Sequence, residues 1–365
     1  MLKSLSNQFL TLLKAGLWGS RIDDLSLFKL STEEWEYIYE FSKAQTVDGI
    51  VFDGVLGLPE VCLPPKPILY RWAARIDAIE RVNNDMRNVM SEVVNVFQKS
   101  GVQPVLLKGF GLAENYIKPE FRINGDIDLY FDNMSHFNKM NEFLISKNVK
   151  VEKGDHESVF YHYKGVEFEH HTKFIDLFNP FLKDKLNNLY KQECNKFEYL
   201  KVGEGQVLVP SYLIMQIQTN AHILKHFLGF GIGLRQFCDV AMLCSKQPKT
   251  FNGKVLLSSF ESLKIDKWMN LVYSFLVNHL GLPINKLPYS IKLIKDTDWL
   301  LNEIMQGGNF GFYYQTDKNK NKVRREIKRS NSLKRILPHI LKAYRYVPSE
   351  AFWYPIMKIT TKIRS

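Results

Sequence analysis

The chain has 365 residues, and 45% of them are hydrophobic. This hydrophobic fraction excludes a protein that is disordered over most of its length. A chain of this length usually has more than one hydrophobic core, so we expect two or three domains. The net charge of +11 lies entirely in residues 318–365, which contain 14 Lys and Arg against two Glu, because residues 1–317 carry 35 basic and 36 acidic residues. No stretch reaches the ~18 uncharged apolar residues that span a bilayer, and the four cysteines form no CxxC pair, which indicates reduced thiols in a cytoplasmic protein.

Residues 1–100 predict a helical N-terminal region. Ser31 and Glu34 have the spacing of a capping box, and apolar residues follow them at helical intervals. Residues 68–97 show the same intervals with charged residues between the apolar ones. We therefore expect amphipathic helices here, with a break at Pro64-Pro65.

Residues 101–180 predict an α+β core. A short apolar strand at residues 104–107 leads into a helix that we expect from Gly109 to Tyr116. The turn at Asn124-Gly125 precedes the strand IDLYF, and the segments VFYHY and VEFEHH form a hairpin across the turn between them. Mixed strands and helices over this length fit one small domain.

Asp126 and Asp128 are the most informative residues of this core. Side chains alternate along a strand, so two carboxylates at i and i+2 leave the same face and can share a hard cation. A two-metal site, with its ions about 4 Å apart, needs a further carboxylate. Glu169 is a better choice than Glu167 on the VEFEHH strand, because His171 follows at i+2 and could orient it or bind phosphate. The pattern predicts Asp126, Asp128 and Glu169 as Mg²⁺ ligands and catalytic residues.

Cationic residues near these carboxylates predict a phosphate site. Lys108 and Gly109 end an apolar strand and open a helix, where free backbone N–H groups and the ammonium could receive phosphates. Arg122 could add a second cation to a triphosphate or fix its loop to a carboxylate.

The order of these motifs resembles the uncharacterised nucleotidyltransferases of the DNA polymerase β superfamily. The resemblance rests on LLKG, a helix with Tyr116, Arg122 followed by GDIDLYF, and the strand with Glu169 and His171. Farther along, HILKHFLGFGIGLRQFCDVAML resembles the family's helical signature, with matches at His222, His226, Arg235 and Asp239. One departure is the Lys108-Gly109-Phe110 sequence, where the broader superfamily usually has Gly-Ser and a shorter gap to the carboxylates.

The resemblance implies a palm-like mixed sheet, a divalent metal and transfer of a nucleotidyl group to an acceptor hydroxyl. Motifs and resemblance together predict these nucleotide-binding residues: Lys108, Gly109, Arg122, His171, His222, Arg235 and Asp239. Other interpretations stay open for the helical residues. His222 and His226 could bind zinc or form hydrogen bonds at a helix interface, and Arg235 with Asp239 could form an i,i+4 salt bridge.

Residues 181–317 predict a helical C-terminal domain, and residues 318–365 predict a basic amphipathic tail. The tail could be a solvated helix packed by its apolar face, could lie on an anionic membrane surface, or could follow a nucleic-acid backbone. The sequence predicts a cytoplasmic protein, which would be peripheral to the membrane if the tail lies on an anionic membrane surface.

The sequence therefore predicts an α+β, polymerase-β-like nucleotidyltransferase palm flanked by helical regions. It would move a nucleoside monophosphate, by default AMP from ATP, to an acceptor hydroxyl and release pyrophosphate, with Mg²⁺ or Mn²⁺. A sugar, a lipid-linked glycan, a peptide, a protein or an RNA end would each serve as acceptor. Two alternatives are a sugar-nucleotide glycosyltransferase, which also uses a DxD pair, and a non-catalytic membrane-associated module that keeps the fold.

Overall fold

A computed structural model shows an α+β protein, which confirms the predicted fold class, and describes residues 2–154, 158–229, 231–309 and 332–364. The helices in these residues are α1 (Leu2–Trp18), α2 (Thr32–Ala44), α3 (Asp48–Leu56), α4 (Lys66–Lys99), α5 (Phe110–Ala113), α6 (Met134–Ser146), α7 (Lys183–Glu193), α8 (Tyr212–Leu228), α9 (Leu234–Ser245), α10 (Gly253–Ser262), α11 (Asp266–Leu280), α12 (Asp298–Gly307), α13 (Ser332–Tyr344) and α14 (Pro348–Arg364). The strands are β1 (Val105–Leu106), β2 (Ile127–Tyr130), β3 (Val151–Lys153), β4 (Val159–Tyr163), β5 (Val166–His171), β6 (Glu198–Val202) and β7 (Gly205–Val209).

The strands form one mixed sheet in the order β3-β4-β5-β2-β1-β7-β6. β2 runs parallel to β5, and β1 runs parallel to β7, whereas the other neighbours are antiparallel. The hairpin of β6 and β7 extends the sheet beyond residue 180, where the sequence places the end of the core.

One face of the sheet carries the apolar core. Ile127 and Leu129 of β2 and Phe168 of β5 are fully buried there, together with Met90 and Phe97 of α4. Because side chains alternate along each strand, Asp128 of β2 and Glu169 of β5 leave the opposite face. The apolar pattern therefore decides which face is available for chemistry.

The chain divides into two compact units, each built from separate segments. Unit 1 comprises residues 1–79, 115–123 and 223–352, and unit 2 comprises residues 80–114, 124–222 and 353–365. The whole sheet belongs to unit 2. This division interleaves segments that the sequence prediction placed in consecutive domains, because packing is decided by contacts in space, whereas composition reports only neighbours along the chain.

Close helix packing and a capped helix characterise unit 1. Ser31 accepts a hydrogen bond from the backbone of Glu34, whose side chain accepts one from the backbone of Ser31, so the predicted capping box is present. Gly16 of α1 and Gly54 of α3 allow backbones to touch, since a Cβ at Gly16 would lie 1.8 Å from the carbonyl oxygen of Ile50. A larger side chain at either glycine would force α1 and α3 apart.

The basic tail is described in part. Residues 318–331 lie outside the described residues, and the following residues form α13 and α14. Among the helices that the structure describes, none combines the length and apolar character that crossing a membrane requires.

Candidate metal centre

The parallel pairing of β2 and β5 places the two key carboxylates side by side. Asp128 stands opposite Glu169 in the register, and Tyr130 stands opposite His171. The burial of β5 alternates as the sequence predicts, with Val166, Phe168 and His170 on the buried side. Asp128 and Glu169 therefore leave the same face on adjacent strands.

Asp128, Glu169 and His171 form a group that could hold a metal ion. One ligand atom from each lies within 4.8 Å of the others, and within the described parts of the chain this is the one group of three or more such residues. The Nε2 atom of His171 lies 2.7 Å from Oδ1 of Asp128 and 3.6 Å from Oε2 of Glu169. The three side chains thus converge on a single small volume.

Lys108 contributes a positive charge to this group. Its Nζ atom lies 3.2 Å from Oδ1 of Asp128, and only 16% of its side chain is exposed. Burial alone would lower the pKa of Lys108, but the negative charges of Asp128, Asp176, Asp126 and Glu169, in that order, raise it well above its usual value. The ammonium therefore stays charged among the carboxylates.

Asp128 is correspondingly held in its ionised form. Burial raises the pKa of this carboxyl group, but the charge of Lys108 and the hydrogen bond from His171 bring it far below the usual range. Burial lowers the pKa of His171, and the hydrogen bond and charge of Asp128 outweigh that effect and raise it. Lys108 and His171 therefore both favour a negative charge at Asp128.

The donor set fits a hard divalent cation. Carboxylate oxygens suit Mg²⁺ and Mn²⁺, whereas an imidazole nitrogen is an unusual ligand for Mg²⁺. Because the Nε2 atom of His171 already contacts Asp128, this histidine fits best as a partner that orients the carboxylate. Asp128 and Glu169 would hold the metal directly.

Asp126 lies just before β2 and is exposed, and it is outside this group of ligand atoms. Its charge raises the pKa of Lys108, so its carboxylate acts on the same centre. The predicted ligand role of Asp126 is therefore a proposal, while the structure brings together Asp128, Glu169 and His171.

Asp176 is an acidic residue whose charge acts on Lys108 and which the sequence reasoning did not single out. It is half-buried, and its effect on the pKa of Lys108 exceeds those of Asp126 and Glu169. The available signal was a single acidic residue within the apolar segment KFIDLF, five residues after His171.

Gly109 has a conformation that favours glycine. Its φ is +56°, and a Cβ atom there would lie 3.4 Å from Oδ1 of Asn124. The helix that follows ends at Ala113, three residues before the predicted end at Tyr116. The phosphate-binding roles of Lys108 and Gly109 stay predictions.

A cavity of about 350 Å³ opens beside the turn at Gly125. Val82, Asp85, Met86, Asn124, Gly125, His162, Lys164, Gly165, Val166 and Glu167 line it. This volume lies at the lower end of the range for small-molecule sites. Gly125 precedes Asp126, so the cavity begins next to the exposed carboxylate.

Arg122 and Asp239 bind each other inside unit 1. The Nε and Nη2 atoms of Arg122 donate to the two carboxylate oxygens of Asp239 over 2.7 and 2.8 Å, and both side chains are at most 5% exposed. The hydroxyl of Tyr116 also donates to Asp239 over 2.7 Å. Arg235 donates to the carbonyl oxygen of Ile123 over 2.6 Å. These contacts give Arg122, Arg235 and Asp239 a structural role within unit 1. The roles of these three residues in nucleotide binding stay predictions.

His222 and His226 lie one turn apart on α8 and are both half-buried. Neither belongs to a group of three candidate metal ligands among the described residues. The proposed contact of His222 with nucleotide stays a prediction.

Comparisons with known proteins identify a family and a similar solved structure. Residues 31–280 match a family described as uncharacterised nucleotidyltransferase, and this range contains every predicted site residue. No curated protein matches the chain significantly. Among solved structures, the chain is similar to an antigenic nucleotidyltransferase-like protein from Paracoccidioides brasiliensis, with 14% sequence identity and a TM-score of 0.34, over 54% of this chain and 92% of that one.

Proposed function

This chain belongs to the family of uncharacterised nucleotidyltransferases, and we propose that it transfers a nucleoside monophosphate from a triphosphate to an acceptor hydroxyl. The observation that carries the proposal is the pairing of Asp128 with Glu169 across β2 and β5, with His171 and Lys108 in contact with Asp128. Two adjacent carboxylates with a buried ammonium suit a substrate that combines phosphate groups with a divalent metal.

The reaction forms one bond and breaks one bond at the α-phosphorus. The acceptor oxygen attacks that phosphorus, the bond to the bridging oxygen of the β-phosphate breaks, and pyrophosphate leaves with the bonding electrons. Glu169 is half-buried and accessible enough to help remove the proton from the acceptor hydroxyl. The ammonium of Lys108 offsets the negative charge of the phosphates.

The proposed cofactor is Mg²⁺, with Mn²⁺ as a substitute. Asp128 and Glu169 would hold it, with the exposed Asp126, just before β2, as a further ligand. When bound, one or two such ions would neutralise phosphate charge and favour ionisation of the acceptor hydroxyl. His171 keeps the carboxylate of Asp128 in its orientation through the hydrogen bond of 2.7 Å.

The proposed nucleotide is ATP, so that AMP is transferred. Five classes of acceptor are compatible with these residues: a sugar, a lipid-linked glycan, a peptide, a protein side chain or an RNA end. The proposed location is the cytoplasm.

Transfer of label from α-³²P nucleoside triphosphates, together with release of pyrophosphate, tests the proposal. We expect Asp126→Ala to abolish both signals while the protein stays folded, because the side chain of Asp126 is exposed. Asp132→Ala is the matched control, since Asp132 is an exposed carboxylate beyond the other end of β2. An Asp126→Ala enzyme that still transferred nucleotide would contradict its role as a ligand.

The same assay separates the alternatives. A glycosyltransferase would release a nucleoside diphosphate from a sugar nucleotide and would release no pyrophosphate from ATP. A protein without either activity, tested with all four triphosphates and the five acceptor classes, would match the non-catalytic module and refute the proposed function.

A further inference from the structure

Helix α13 has one buried face and one exposed apolar face within unit 1. Ile336, His339 and Ala343 are at most 6% exposed. Leu337, Leu341 and Tyr344 occupy positions i, i+4 and i+7 and are 56%, 67% and 59% exposed. Residues at this spacing lie on one side of a helix, so they form a continuous apolar row directed away from the core of unit 1. We call these three residues the outer row.

Polar contacts fix the orientation of α13. Nε2 of His339 lies 2.8 Å from Oε1 of Glu303 on α12, and the ammonium of Lys342 pairs with the other oxygen of the same carboxylate. The ring of His339 also lies 5.5 Å from that of Phe227, measured between centroids. Rotation of the helix to bury the outer row would break these contacts. The exposure of the row is therefore built into the packing of unit 1.

Exposed basic residues lie beside the outer row. Lys342 and Arg345 are exposed next to Leu341 and Tyr344. Residues 318–365 as a whole contain 14 basic residues against two acidic ones. An apolar row with basic neighbours matches the interface of an anionic bilayer, where apolar side chains enter the acyl boundary and basic side chains stay with the headgroups.

A nucleic acid fits this surface less well. A phosphate backbone is contacted by basic and polar side chains, and bases stack on aromatic rings, whereas two of the three outer-row residues are leucines. Leucine has no polar group to contact a phosphate, and its transfer from water to hydrocarbon is favourable.

We propose that the outer row of α13 docks the protein onto a membrane surface that contains anionic lipids. The helix lies in the plane of the interface, with Leu337, Leu341 and Tyr344 in the acyl boundary and Arg345 at the headgroups, while Lys342 keeps its contact with Glu303. This docking is independent of the proposed transferase activity, because its residues are separate from the metal centre.

Sedimentation of the full chain with vesicles tests the proposal. The probes are vesicles of phosphatidylcholine alone and vesicles with about 30% phosphatidylglycerol, at low and high salt. The variant is Leu337→Glu with Leu341→Glu. The matched control is Val61→Glu with Tyr70→Glu, which introduces the same charge at side chains that are 92% and 65% exposed. Unfolding temperatures verify that both variants fold.

We expect the wild type to bind the anionic vesicles and to lose binding in phosphatidylcholine or high salt. The outer-row variant should bind at least about tenfold more weakly, because two leucines no longer enter the bilayer, while the control binds like the wild type. If the outer-row variant and the control bound the anionic vesicles equally, the overall charge of the protein would account for the binding, and the proposal would be overturned. A wild type that ignores vesicles but binds a short RNA, measured by fluorescence anisotropy, would also overturn it.

Discussion

Replacing Asp128 by Asn separates the role of this residue in folding from its proposed role in metal binding. The substitution keeps the shape and removes the charge. Loss of one partner of a buried ion pair typically costs about 3–5 kcal/mol of unfolding free energy. Asp128 contacts Lys108 at 3.2 Å and His171 at 2.7 Å, but other carboxylates act on Lys108, whose side chain is 16% exposed. We therefore expect a cost at or just below the lower end of this range, about 2–3 kcal/mol.

Glu169→Gln is the matched comparison. The Glu169 side chain is 32% exposed, and its contact with His171 is 3.6 Å long. An ion pair of this kind contributes less than about 1 kcal/mol. Urea unfolding in EDTA at neutral pH, followed by tryptophan fluorescence, measures both variants. Equal stability of Asp128→Asn and the wild type would refute the charge balance described for this centre.

Addition of Mg²⁺ to the same proteins completes the test. A ligand present at 100 times its dissociation constant stabilises the folded state by about 2.7 kcal/mol. The wild type should gain stability in this way, and both variants should lose most of the gain, since each would lack one of the carboxylates proposed to hold the metal. The two variants should thus differ in unfolding free energy without Mg²⁺, and both should lose most of the stabilisation that Mg²⁺ gives the wild type. A full Mg²⁺ response in Asp128→Asn would exclude this residue as a ligand.

Two further predictions concern stability. Burial and, to a smaller extent, the charge of His171 lower the pKa of His170 to about 3. As the pH falls below ~6.5, this histidine therefore binds a proton in the unfolded chain but stays neutral in the folded protein until the pH approaches 3. Unfolding free energy should fall as the pH drops from ~6.5 towards 3, by up to about 1.4 kcal/mol per pH unit, and His170→Gln should flatten this slope in urea titrations; an unchanged slope would show that His170 is not its source. Arg122→Met should cost about 3–5 kcal/mol in the same assay because it leaves Asp239 buried without its bidentate partner, and Arg71→Met, which removes an exposed pair with Glu36, should cost less than about 1 kcal/mol. Similar losses in these two arginine variants would contradict the buried role of Arg122.

The candidate centre was predictable where it depends on local alternation. Because side chains alternate along a strand, the sequence predicts that Asp128 lies on the polar face of its own strand. In the same way, it predicts that Glu169 and His171, two positions apart, share one face of theirs. The register that brings these strands together depends on the whole sheet, and no local pattern encodes it. Asp176 was missed for the same reason, since an isolated acid has no motif.

The role of Lys108 shows a second limit. The sequence places a cation and a glycine before a helix, which predicts a phosphate site. The structure shows its ammonium bound to Asp128, a residue 20 positions later. Ion pairs between distant residues depend on tertiary packing, so the sequence could predict the cation and not its partner.

The fold was predicted best where amphipathic periods are long. The α+β class and the capped helix at Ser31 are confirmed. The hairpin of β6 and β7 was missed because β6 is mostly exposed and shows little apolar alternation. Its signals were the turn before Gly205 and the buried pair Val207 and Val209 on β7.

The interleaved units have a consequence for the order of folding during synthesis. Unit 2 includes residues 353–365, and the buried ring of Tyr354 packs edge-on against Phe178 with 4.7 Å between the centroids. Every strand therefore leaves the ribosome before the last segment of its unit is made. Until then the sheet unit exposes the apolar site of Tyr354 and is vulnerable to aggregation or chaperone capture. Unit 2, which carries the candidate metal centre, can thus complete its packing only after Tyr354 has been synthesised.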